Sequence, residues 1–177
     1  KKESIYLLNE DELLVRTSIA FMDEYDLPIK IQKLMNSLIN TSNEILPNGL
    51  NKILPKNTKV LAVNVDEKIA TIDFSSDILC VDNDLKEKMI EAISYTIFDL
   101  KEIEGVTILV EGELIEGVPE VITKDYGINK TYNIYSIKDI QKVVVYYIDE
   151  IENQNYYVPV TNYVDDNRLS LIKTNGD

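Results

Sequence analysis

The chain twice passes from a pair of β-prone runs to an apolar stripe of helical spacing, and this succession restricts its fold more than any other feature. Residues 4–8 and 13–21 are rich in branched side chains and flank the polar stretch Asn9-Glu10-Asp11-Glu12, which predicts a hairpin. Asp26-Leu27-Pro28 then offers a capping carboxylate and a proline suited to a first helical turn. Ile31, Leu34, Met35, Leu38 and Ile39 follow at the spacing of one helix face, read as core-facing. Asn40-Thr41-Ser42-Asn43 ends the helix, because these side chains compete for backbone hydrogen bonds. Leu61, Val63 and Val65 alternate, as do Ala70, Ile72 and Phe74, so a second hairpin is expected with its turn at Asp66-Glu67. Asp84 and Glu87 have the spacing of a capping box, and Leu85, Met89, Ile93 and Ile97 continue as a second amphipathic helix to about Leu100. Residues 106–110 read as a strand ended by Gly112. The order β-β-α-β-β-α-β predicts an α+β fold, with an antiparallel or mixed sheet and both helices on one face.

Composition narrows function. The 177 residues are 45% apolar and 28% charged, enough for a real core. The net charge of −13 opposes phosphate-rich partners, so no nucleic acid partner is expected. The chain contains no histidine, which removes Ser-His and Cys-His nucleophile pairs and His-ligated metals. The single cysteine, Cys80, lies in the run Ile78-Leu79-Cys80-Val81 and is expected as a buried thiol. The sequence opens at Lys1 without a targeting segment, so a longer precursor is expected.

Residues 54–65, Leu54-Pro55-Lys56-Asn57-Thr58-Lys59-Val60-Leu61-Ala62-Val63-Asn64-Val65, begin a combined pattern. It continues through Ile69-Ala70-Thr71-Ile72-Asp73-Phe74-Ser75 and Ile93-Ser94-Tyr95-Thr96-Ile97 to Val106-Thr107-Ile108-Leu109-Val110-Glu111-Gly112. This resembles the GerM-type sporulation and spore-germination domain family over about residues 4–112. Two departures stand out: the family's Asp-Gly turn is Asp66-Glu67 here, and residues 40–47 replace a Gly-Pro step after the first helix. The resemblance implies a non-catalytic, extracytoplasmic assembly module of the cell envelope, anchored as a lipoprotein in its precursor. The implied partners are other envelope proteins or further copies of itself, and the implied membrane contact is only through the absent N-terminal anchor.

The tail carries an internal echo. Val143-Val144-Val145-Tyr146-Tyr147-Ile148 resembles Ser4-Ile5-Tyr6-Leu7-Leu8, and Tyr157-Val158-Pro159-Val160-Thr161 resembles residues 14–18. The expected organisation is a GerM-type domain over 1–112, a linker over 113–136, and a partial second repeat over 137–177. That repeat comprises a hairpin and the start of a helix capped by Asp165-Asp166-Asn167. The linker holds Tyr126, Tyr132 and Tyr135, read as aromatics packed on the domain, with an interaction patch as the alternative.

The remaining chemistry is carboxylate chemistry. Asp82 with Asp84, Glu111 with Glu113, and Asp165 with Asp166 are the neighbouring pairs, but 31 acidic residues make such pairs inevitable. Asp82-Asn83-Asp84 opens like a calcium loop yet lacks its later glycine and glutamate, so it reads as a helix start. Asn40-Thr41-Ser42 and Asn129-Lys130-Thr131 match glycosylation sequons without further support. No catalytic, cofactor-binding or metal-binding residue is assigned. The competing expectation is a cell-wall glycan-binding or glycan-hydrolysing domain built on paired carboxylates and the 11 tyrosines.

Overall fold

The computed structural model describes residues 1–42, 45–133 and 141–164. β1 (Lys2–Leu8) and β2 (Leu14–Ala20) pair antiparallel in an unbroken register from Lys2↔Ala20 to Leu8↔Leu14. Asn9 builds the turn between them: its Oδ1 accepts the N–H groups of Asp11 and Leu13 at 3.0 and 2.9 Å.

α1 (Leu27–Asn40) buries Ile31, Leu34, Met35, Leu38 and Ile39, the stripe expected from spacing. Asp26 occupies the N-cap, but its side chain makes no capping bond; Pro28 alone supplies the start signal. At the other end the Thr41 hydroxyl donates to the Ser37 carbonyl at 2.6 Å, the competition expected of that polar run.

β3 (Val60–Asp66) and β4 (Ile69–Phe74) form the second hairpin. Its turn is Glu67-Lys68 rather than Asp66-Glu67, with both residues in the left-handed region at φ 47° and 66°. That pair of angles suits a type I′ turn, which glycine or asparagine usually fills. Here the Lys68 carbonyl accepts from Glu104 and Gly105 N–H at 2.8 and 3.2 Å, which helps hold the turn. Leu61 leaves the expected alternation. A register shift between Val60 and Ala62 makes it the extra residue of a bulge, and it is 50% exposed.

α2 (Lys86–Phe98) follows a 3-10 turn at Asn83–Leu85. The capping box does not form, since Leu85 is the N-cap and no side chain caps the helix. Its burial also exceeds one stripe: Met89, Ile90, Ala92, Ile93, Ile97 and Phe98 are buried together with Glu91, Ser94 and Thr96. β1, α1, β5 (Gly105–Val110) and the 3-10 turn at Lys124–Tyr126 all pack on it, so α2 is a central helix rather than a surface one. Thr96 Oγ1 accepts the Tyr6 N–H at 3.2 Å and so covers the outer edge of β1. Thr96→Val would leave that buried N–H unpaired at nearly constant volume. It is expected to lower unfolding free energy by about 1–3 kcal/mol in a urea titration.

β4 and β5 run parallel with α2 as their crossover, and β6 (Glu113–Leu114) turns back on β5. The result is an α+β fold with a mixed sheet in the order β3-β4-β5-β6 beside the β1-β2 pair. Cys80 is exposed, not buried. Residues 76–80 form a 3-10 turn in which Ile78 takes the inward position, leaving Leu79 and Cys80 outside.

Residues expected as a linker pack on the first unit. Ile115, Ile122 and Ile128 join the core, and Ile122 exchanges backbone hydrogen bonds with Val106 at 2.7 and 2.9 Å. Tyr126 is half-buried beneath Lys130, whose Nζ sits 3.5 Å from the ring centroid. The side chain of Tyr132 and all of Tyr135 lie outside the described residues, as do the Asp165-Asp166 pair and the helix expected after it.

β7 (Thr131–Asn133), β8 (Gln141–Ile151) and β9 (Gln154–Val164) form the third sheet, in the order β7-β9-β8. Glu152-Asn153 closes the β8–β9 hairpin in the left-handed region at φ 51° and 64°. The echo between hairpins extends to register: Tyr6 faces Arg16 and Leu8 faces Leu14, while Tyr146 faces Pro159 and Ile148 faces Tyr157. Val145, Val158 and Val160 belong to the same core as α1 and α2, so the second hairpin is docked on the first unit.

Candidate functional site

The most concentrated polar chemistry lies where β2, α2 and β9 meet, and Asn129 stands at its centre. Asn129 follows Gly127 and Ile128, is fully buried, and adopts φ 49°, a region asparagine tolerates better than most residues. Its Oδ1 accepts the Leu14 N–H at 2.8 Å and its Nδ2 donates to the Leu14 carbonyl at 2.9 Å. The side-chain amide therefore pairs with the free edge of β2 as another strand would. The same Nδ2 donates to the Pro159 carbonyl at 2.7 Å, which ties β9 to β2. The Asn129 N–H donates to Glu91 Oε1 at 2.6 Å, and Lys88 Nζ donates to Asn129 Oδ1 at 2.8 Å, which adds α2. Burial excludes the sequon reading of this asparagine, since a glycan needs an exposed amide.

Burial dominates the titration here. It pushes the Glu91 carboxyl from an ordinary 4.5 up to about 7, against the opposing pull of the Asn129 N–H and of Lys88 and Lys130. The Lys88 ammonium is pushed down by the same burial. A carboxyl near 7 is what a general acid would need. Glu91, however, is 1% exposed and its oxygen is held by Asn129, so its role is structural. Two further links fasten the hairpin tip to the first unit: Asn9 Nδ2 donates to Asp149 Oδ2 at 2.9 Å, and Asn48 Nδ2 bonds Glu152 Oε1.

Beside this joint a cleft of about 280 Å³ is lined by Tyr6, Tyr95, Phe98, Tyr146 and Tyr157 around the Arg16–Asp99 pair. Arg16 Nε lies 2.8 Å from Asp99 Oδ2, and the Tyr6 hydroxyl donates to Asp99 Oδ1 at 3.4 Å. Burial raises the Tyr6 phenol strongly, and it raises the Tyr95 phenol to about 12. Both remain neutral hydrogen-bonding groups at physiological pH, so the cleft is equipped for recognition by stacking and hydrogen bonds.

Two of the carboxylate pairs noted in the sequence lie elsewhere, and the third, Asp165 with Asp166, is outside the described residues. Asp82 and Asp84 flank the exposed start of α2, and Glu111 and Glu113 lie on the exposed β5–β6 turn. Among the described residues, no group of three or more Cys, Asp or Glu side chains is placed to hold a metal ion. Sequence reasoning passed over Glu91, Lys88 and the amide role of Asn129. A charged residue on a helix reads as solvated until the neighbours that cover it are known.

Residues 4–116 match the family described as Germane, sporulation and spore germination. The chain is 30% identical over 134 residues to the spore germination protein GerM of Bacillus subtilis (strain 168), a match covering 70% of this chain and 36% of that protein. Its fold is similar to the tandem GerMN domains of the sporulation protein GerM from Bacillus subtilis: TM-score 0.84, 22% identity, 98% of this chain and 64% of that one. It is also similar to a Clostridium perfringens protein provisionally named a lipoprotein, with TM-score 0.50, 23% identity, and coverage of 71% and 88%. The chain thus spans about a third of the curated relative it matches. With the paired hairpins, the central α2 and the matched residues taken together, this chain belongs to the sporulation and spore germination family typified by GerM.

Proposed function

We propose that the chain is a non-catalytic interaction module with a GerM-like role in spore formation or germination, working outside the cytoplasm in an envelope protein complex. The observation that carries this reading is the second hairpin. One face of it is fused to the first unit through a shared core and Asn129. Its other face presents Val144, Tyr146, Ile148 and Tyr157 to solvent at 44–62% exposure. A contiguous apolar face held on a rigid base suits a protein contact. The name of the Clostridium perfringens relative supports an anchored lipoprotein outside the membrane. Cell-wall zymography, run beside size-exclusion chromatography and cross-linking, tests the reading. The expected result is no clearing zone, together with cross-linked species larger than one chain. Lysis by the purified protein, abolished by one carboxylate substitution, would overturn it.

The tyrosine-lined cleft favours a second reading, glycan binding, because neutral sugar rings stack on exposed phenols. Titration with chitin oligosaccharides should then change tyrosine fluorescence, and Tyr157→Ala should abolish the change. No response in the parent protein would remove this reading.

A further inference from the structure

The outer edge of β2 and the first residues of β9 wall a groove of about 510 Å³. Its orientation follows from Asn129. The Leu14 N–H and C=O point away from β1 to reach that side chain. Backbone groups on an antiparallel strand alternate in direction, so those of Arg16, Ser18 and Ala20 point the same way, into the groove. The Pro159 carbonyl faces Asn129 from the other side, so the backbone groups of Tyr157 and Asn155 also face the groove. Among the described residues, no backbone partner pairs with the β2 edge below Leu14. The Asn129 amide thus bridges the edges of β2 and β9, and below it the two strand edges open onto one space.

Several of the usual edge protections are missing here, although Arg16 places one charge on the strand. β2 contains no proline and no bulge, and no helix covers it as Thr96 of α2 covers β1. In a chain with 31 acidic and 18 basic residues, the lining among the described residues includes Lys2 and Arg16 and no carboxylate, with Asp99 paired to Arg16 from the neighbouring cleft. Ile19, Ile45, Leu46 and Pro47 supply apolar surface on the same lining.

We propose that this groove takes an extended segment of another protein as an added strand on β2. That segment carries apolar side chains alternating with carboxylates. The backbone edge supplies the affinity that strand addition uses, and alternate side chains supply selectivity. Apolar residues turn toward Ile19 and Leu46, while carboxylates on the solvent face lie beside Arg16. At ~3.3 Å per residue, the open edge accommodates about five residues. The inference rests on the interaction reading above and names one surface and its partner's chemistry.

The probe is the synthetic peptide acetyl-Val-Glu-Val-Glu-Val-amide, titrated into the chain and followed by backbone amide NMR. Saturable shifts are expected at residues 16–20 and at Asn155 and Tyr157. The same peptide with its edge-facing amides N-methylated keeps the side chains and loses the backbone donors; it should bind at least ten-fold more weakly. Exchanging its glutamates for lysines should weaken binding at low salt and less so at high salt. Ser18→Pro removes a groove-facing N–H that the β1 ladder does not use, and should abolish the shifts. Should that variant misfold, the methylated peptide tests the wild-type chain directly. Equal binding of the methylated peptide, or saturation with no shifts along β2, would overturn the proposal. Cross-linked complexes that persist while the peptide leaves the chain unperturbed would sink the groove and leave the interaction module standing.

Discussion

Asn129→Ala is expected to lower the unfolding free energy by about 4 kcal/mol, and to loosen the second hairpin before the rest of the chain unfolds. The substitution leaves the Leu14 N–H, the Leu14 carbonyl and the Pro159 carbonyl buried without their partner. Each orphaned buried group costs about 1–3 kcal/mol. Alanine also tolerates φ 49° less well than asparagine. For a chain of this size the loss corresponds to a fall in melting temperature of roughly 10 °C. Limited proteolysis at the Glu152-Asn153 turn should speed up in the variant at temperatures where the first unit is still folded. Asn129→Asp separates the parts of the effect. It keeps Oδ1 as acceptor for Leu14 N–H and Lys88, but sets a carboxylate oxygen against two carbonyls, so it should be nearly as damaging. A melting temperature within one or two degrees of wild type for Asn129→Ala would remove Asn129 from the centre of the joint.

The second large effect is a pH dependence. In the unfolded chain Glu91 ionises near its ordinary 4.5, whereas the folded protein holds the proton to about 7. Between these values the folded state binds more protons, so this group's contribution to stability falls as pH rises through the window and is level on either side. At about 1.4 kcal/mol per pKa unit the full penalty is on the order of 3 kcal/mol. Glu91→Gln keeps an oxygen that can accept the Asn129 N–H and removes the ionisation. The stability of the variant relative to wild type should therefore grow from pH 4.5 to 7 and then level off. Lys88, Lys130 and Glu87 face the same carboxyl, and the measured midpoint of that difference curve reports their combined influence. A difference that stays flat across the window would show that Glu91 ionises in the folded state as it does in water.

Much of the fold was legible because its signals are local. Ile31, Leu34, Met35, Leu38 and Ile39 share one helical face whatever surrounds them, and all five are buried. Ala70, Ile72 and Phe74 alternate, and all three point inward. Where the reading slipped, a neighbour outweighed the local signal. Leu61 follows the period of Val63 and Val65 but is displaced by a bulge whose register is set with β4. Cys80 lies in an apolar run, yet that run coils into a 3-10 turn with room for one inward side chain, and Ile78 takes it. Asp84 and Glu87 have capping-box spacing, but the chain enters α2 through its own 3-10 turn, which places Leu85 at the cap.

The feature first noted in the chain, paired β-prone runs leading into helical stripes, determined the element order, the buried face of α1, the inward residues of β4 and the family. Periodicity encodes which side of a strand or helix is apolar, and that depends only on residues a few positions apart. How the hairpins are joined lay beyond its reach. Asn129 is 115 residues from Leu14 in sequence and 30 from Pro159. Its amide substitutes for a strand only because packing on α2 brings the β2 and β9 edges within reach of one side chain. The charge state of Glu91 and the open groove below the joint follow from that same long-range packing, so tertiary structure alone decided them.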